Sequence, residues 1–171
     1  MHFLVLAASV LVTSCAHGQN PVMSCRMQDQ YHVSGDQHSA GVDARGDHAM
    51  GFSHETTAHH FCILPDGGMI SVETRQENDA STRDQIRTHL SHIAGMFTSG
   101  EFDIPMFIHD RVPPGVPVMK AKRNSISYTY QDTEHGGQVR IKTADAEAVK
   151  AVHDFLAFQI QDHRTGDPVS Q

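Results

Sequence analysis

An α+β fold is predicted by three features of this chain. Two segments each carry a strand, a glycine-rich turn, a return strand and a helix with an apolar stripe. The segments match each other in pattern: Gly67-Gly68, one residue before Ile-Ser-Val-Glu-Thr, aligns with Gly136-Gly137, one residue before Val-Arg-Ile-Lys-Thr. A proline-studded stretch separates them. One ββα unit cannot cover its own apolar sheet face. The two pseudo-repeated units are therefore expected to form one mainly antiparallel sheet of about four strands with both helices on one face. Strand order stays open, because either hairpin can lie outermost.

The elements follow in order. Residues 1–15 read as a lipoprotein-like signal peptide, whose apolar run Phe3–Val12 is too short to span a bilayer as a stable anchor. Val12-Thr13-Ser14-Cys15 resembles the bacterial lipobox, in which the cysteine is lipidated and becomes the new N-terminus. Cleavage after Gly18 would instead release a soluble protein. Residues 16–49 are polar and rich in Gly, His, Asp and Ser, and read as an irregular N-terminal arm with room for a short strand at Tyr31–Val33.

Residues 50–171 then form a single α+β domain. In the first ββα unit, 57–98, strands at His60–Leu64 and Met69–Thr74 flank the turn Pro65-Asp66-Gly67-Gly68. Ser81 or Thr82 is positioned to cap a helix carrying Ile86, Leu90, Ile93 and Phe97, which Gly100 stops. The Pro-rich loop 99–124 cannot be one helix, yet it holds Ile104, Met106, Phe107, Ile108, Val116, Val118 and Met119, and so reads as a lid, a binding wall or a cover for the sheet. In the second unit, 125–165, Ile126, Tyr128 and Tyr130 alternate inward. The return strand is Val139–Thr143, and Asp145 caps a helix with Val149, Val152, Leu156 and Ile160 on one stripe.

Composition narrows the function. The net charge of -7 argues against a nucleic-acid partner, which needs a basic surface. The 14 histidines make charge strongly dependent on pH. If Cys15 carries lipid, Cys25 and Cys62 remain either to form a disulfide in an oxidising compartment or to stay as thiols. The localisation expected is export, as a periplasmic or outer-membrane lipoprotein or a secreted protein.

Histidines carry the candidate chemistry, since neutral imidazole is the commonest protein metal ligand. His54, His59 and His60 stand at the entry to the first strand, His89 and His92 lie one helical turn apart, and His109 sits in the Pro-rich loop beside Asp110. In an extended strand His59 and His60 point to opposite sheet faces, so one ion can take only one of them. The expected metal ligands are His59 or His60, with His89 and His109. Met50, Met96 and Met106 lie near histidines, which favours copper first and zinc or iron second. With zinc, Asp110 or Glu55 could serve as a hydrolytic base. CxxCH is missing, which excludes c-type haem but leaves non-covalent haem open. His153 and His163 flank the stripe of the second helix and read as hydrogen-bonded core. His32, His38, His48 and His135 read as surface.

Several segments together resemble a family of small exported bacterial proteins of unestablished function. The matching motifs are Met50–Phe61 (MGFS…T.HHF), Asp66–Gly68, Asp84–Phe97 (DQIR.HL.HIA.MF), Pro105–Met119 (PMFIHD..PPGVPVM) and His153–Asp167. Some such proteins carry the label aspartate carbamoyltransferase, and Ser81-Thr82-Arg83 is similar to that enzyme's phosphate loop at a helix start. The chain is about half that enzyme's length and has no second substrate domain, and helix capping accounts for the tripeptide. The leading expectation is an exported transition-metal-binding protein of the cell envelope. The alternatives are an extracytoplasmic metal-dependent hydrolase or oxidoreductase with the loop as lid, and a ligand-free interaction module.

Overall fold

Strand and helix succeed one another as the periodicity requires in a computed structural model that describes residues 37–169. The elements are α1 (Gln37–Met50), β1 (Thr57–Leu64), β2 (Gly67–Thr74), α2 (Ala80–Ser99), α3 (Asp103–His109), α4 (Val116–Ala121), β3 (Ile126–Asp132), β4 (Gly136–Thr143) and α5 (Ala146–Asp162). The signal segment with Cys15, the Tyr31–Val33 strand and Cys25 lie outside the described residues. Among the described residues no helix is long and apolar enough to cross a membrane.

The four strands form one antiparallel sheet in the order β1-β2-β4-β3, so the two return strands meet at its centre. The register there has the symmetry of a duplication. Ile70 stands opposite Val139, its own counterpart in the other unit. Replacing Gly68 and Ile141 by their counterparts turns that pair into Gly137 and Val72, which is also a pair in the sheet. The helices follow the same symmetry crosswise. α2 packs on β3 and β4, and α5 packs on β1 and β2, so each helix covers the other unit's hairpin.

Apolar residues on the inner sheet face, Phe61, Ile70, Val72, Val139 and Ile141, meet Ile86, Leu90 and Phe97 of α2 and Val152, Phe155 and Leu156 of α5. Phe97 and Phe102 stack with centroids 4.4 Å apart, and Phe155 meets both edge-on. Glycine lets the layers close. A Cβ at Gly68 would overlap Leu156 Cδ1 and press on the Cys62 carbonyl.

The structure departs from expectation in three places. Residues 37–49 are not part of an irregular arm: they belong to α1, which packs on α3 and is tied by Arg45 Nε donating to Ile108 O at 2.7 Å. The cap of α2 is Asp79, not Ser81 or Thr82, and its carboxylate accepts from Thr82 N at 3.0 Å. The Pro-rich loop folds as two short helices, with Pro105 and Pro117 in their first turns, where a missing N–H breaks no helical bond.

Candidate metal centre

β1 is an edge strand, and its alternation sorts the adjacent histidines as the sequence requires. His59 stands opposite Val72 and so shares the inner face with Phe61, while His60 points to the outer face. The outer ring is committed. His60 Nδ1 lies 3.1 Å from Asp167 Oδ1, and the same carboxylate accepts from Phe61 N at 2.9 Å. That bond engages Nδ1 of His60, whose ring lies on the opposite sheet face from that of His59.

Four elements converge on the inner ring. α1 delivers Met50, whose Sδ lies 3.3 Å from His59 Nε2. The chain then turns at Gly51, which has the positive φ of 80° that glycine tolerates, and buries Phe52. Phe52 stacks against His59 with centroids 6.2 Å apart and meets His89 of α2 edge-on at 5.7 Å. The end of α5 contributes His163, whose ring is parallel to that of His59 at 6.0 Å and stacks on Phe61 at 5.7 Å. His109 of α3 meets His163 at 4.9 Å.

Hydrogen bonding divides these rings into used and available. His109 is 1% exposed and has both nitrogens engaged. Nδ1 lies 2.5 Å from Asp162 Oδ2, and Nε2 is hydrogen-bonded to the Gln159 side-chain amide at 2.9 Å. Asp162 in turn accepts from His38 at 2.9 Å. Both nitrogens of His109 are thus engaged by α5, which leaves neither facing the other rings. Among the described residues the ring nitrogens of His89 and His163 make no hydrogen bond, and His59 has only the thioether, a weak acceptor.

The available rings are also the ones kept neutral. Burial, reinforced by His89 and then His60, lowers His59 to about 3. Burial with His92 nearby lowers His89 to about 4. His163 is held well below the ordinary imidazole value by burial, then by His59 and His109, against the opposing pull of Asp162.

Met50, His59 and His163 line a hollow of about 170 Å³ that also reaches Asp43, His54, Arg75 and Arg164. Behind them lies a mostly apolar cavity of about 60 Å³, which the same three residues also line, together with His89. The structure separates the expected residues: His59 and His89 lie on either side of Phe52, while His60 bonds Asp167 and His109 bonds Asp162 and Gln159. Among the described residues, no group of three or more His, Cys, Asp or Glu side chains is arranged to hold an ion. The donors that do come together are two imidazoles and a thioether.

His163 was expected as hydrogen-bonded core. Its sequence signal was the inner stripe of α5 carried one step further, from Leu156 and Ile160 to His163. His153 does read as expected, with Nε2–H donating to Leu64 O at 2.9 Å. Asp110 and Glu55, the expected bases, are both exposed and line neither the hollow nor the cavity. The Ser81-Thr82-Arg83 tripeptide lies in the first turn of α2, where the Asp79 carboxylate takes the position an anion would need. Cys62 is disulfide-bonded, with its partner outside the described residues. The chain matches no family model, no curated protein and no solved structure.

Proposed function

We propose that the protein is an exported binder of a soft transition-metal ion, copper first, held by His59, His163 and Met50 with His89 at the margin. One observation carries this reading: an imidazole nitrogen facing a thioether at 3.3 Å beside a parallel, unbonded histidine. An ion bound at about 2.0 Å to nitrogen and about 2.3 Å to sulfur, at a near-tetrahedral angle, separates those donors by roughly 3.3–3.5 Å. Thioether and imidazole together select copper(I) over harder cations. Zinc on three histidines is a poorer fit, since His109 has both nitrogens committed. Haem is poorer still, because the two adjoining spaces of about 170 and about 60 Å³ are small for a macrocycle. The disulfide at Cys62 supports an oxidising compartment.

The test is competition for copper(I) against a chromophoric chelator, using untagged protein. His59→Gln, His163→Gln and Met50→Leu are each expected to weaken binding about tenfold or more. His60→Gln and His153→Gln are expected to bind like the parent. Equal affinity in all five variants, or no binding by the parent, would overturn the reading.

A further inference from the structure

The two edges of the sheet differ. On β1 the Asp167 carboxylate accepts from Phe61 N, which guards that edge. β3 has no such guard. Ile126–Asp132 pairs with β4 along its whole length without a bulge, contains no proline or lysine, and carries its single charge at its last residue. Hydrogen-bonded and open pairs alternate along an antiparallel ladder. Thr133 N donates to Gly136 O, which sets the phase and turns the N–H and C=O groups of Tyr128, Tyr130 and Asp132 outward. Among the described residues no hydrogen bond reaches those groups.

We propose that β3 pairs antiparallel with β3 of a second copy about a two-fold axis at Thr129, joining the two four-stranded sheets into one. In this register the whole strand overlaps, Thr129 faces itself, and Tyr128 exchanges both backbone bonds with Tyr130 of the second copy. Charge is complementary. Exposed Arg123 precedes the strand and exposed Glu134 follows it, so antiparallel pairing lays each beside its opposite. The helices also fit. α2 packs on β3 and β4 alike, so with strands about 4.8 Å apart the two α2 axes lie roughly 9–10 Å apart, an ordinary helix-packing distance. The α2 flank facing the axis, opposite His89, carries only small residues at Ser91, Ala94 and Thr98. Because the β1 edge is guarded, the contact does not propagate and closes as a dimer. The seam lies at the far edge of the sheet from His59, so it is independent of the proposed ion.

Sedimentation of the untagged, metal-free, full-length protein is expected to give about twice the 18.8 kDa chain mass, falling to one chain on dilution. Thr129 is exposed, so Thr129→Lys is expected to keep the circular dichroism spectrum and to weaken association about tenfold or more, since like charges then face each other across the axis. Thr129→Cys is expected to link covalently on mild oxidation, because facing residues of an open pair have Cα atoms about 4.5 Å apart. Gln131→Cys, which faces Ser127 of the second copy, is expected to link no better than the parent. The linking result decides the matter even if Thr129→Lys fails to fold. A monomer at every concentration, whether or not it takes up a foreign extended peptide, would overturn the proposal. So would a dimer that links equally well in both variants or that Thr129→Lys leaves undisturbed.

Discussion

The single residue on which most turns is His59, because it is at once inward, neutral and without an oxygen or nitrogen partner. Its neutrality has a thermodynamic consequence. His59, His89 and His163 all have lowered values in the fold against 6.5 in the unfolded chain, so below about pH 7 the unfolded state binds more protons. Their stabilising contribution is complete above that value and is lost as pH falls from 6.5 through the lowered folded values, about 4 for His89 and about 3 for His59. Each ring contributes at most ~1.4 kcal/mol per pH unit. Asp162 and Asp167 are shifted down from 3.8 and act only in stronger acid, so between pH 7 and pH 5 the imidazoles act without them. Thermal melts are expected to show Tm falling between pH 7 and pH 5, with a shallower fall in His89→Leu. A pH-independent Tm over that range would refute the neutral cluster. Ligation by rings already deprotonated releases no proton, so copper affinity of the folded protein is expected to stay within about threefold from pH 7 to 5.5. A steep decline there would mean that the ligands are ordinary surface histidines.

At the scale of elements, local chemistry can be tested apart from function. Asp79→Ala removes the α2 cap and is expected to cost about 1 kcal/mol in urea denaturation. Gly68→Ala is expected to cost about 1–3 kcal/mol, because the added methyl meets Leu156 and a strand carbonyl with no room to yield. A neutral result at Gly68 would mean that α5 does not sit so close to β2. These elements were legible because their signals are local: period-two alternation in the strands, a 3.6-residue stripe in α2 and α5, and glycine where a turn or close approach needs it. α1 was not legible. Its segment carries two glycines and one buried large apolar residue, Val42, so little in the chain itself favours a helix. Contacts made after folding hold it, among them Arg45 to Ile108 O and Arg164 to Asp43 at 3.0 Å. The short helices of the Pro-rich stretch were hidden because proline in a first turn looks the same, in sequence, as proline that ends a helix.

Over the whole molecule the crosswise covering of hairpins by helices couples the two units. Neither half can bury its own sheet face, so calorimetry is expected to show one cooperative unfolding transition. Two resolved transitions would contradict the crossed packing. Reduction of the Cys62 disulfide is expected to lower stability by about 2–4 kcal/mol without dividing that transition. The duplication was legible in sequence, but the order β1-β2-β4-β3 was not, since pairing between β2 and β4 leaves no local mark beyond the burial of both. Nor was it legible that the repeat would fail to repeat the site. The counterpart of His59 is Tyr128, half-buried with its hydroxyl unpartnered, and it abuts Phe97 rather than a second imidazole. Among the described residues it is the β1 end that receives α1 and the tail after α5, which supply Met50 and His163. The last of these segments has a separate consequence. By holding the outward N–H of Phe61, Asp167 blocks the rim of the sheet against a foreign strand. A chain trimmed before Asp167 would present that rim as a template, and its characteristic failure would be growth into fibrils.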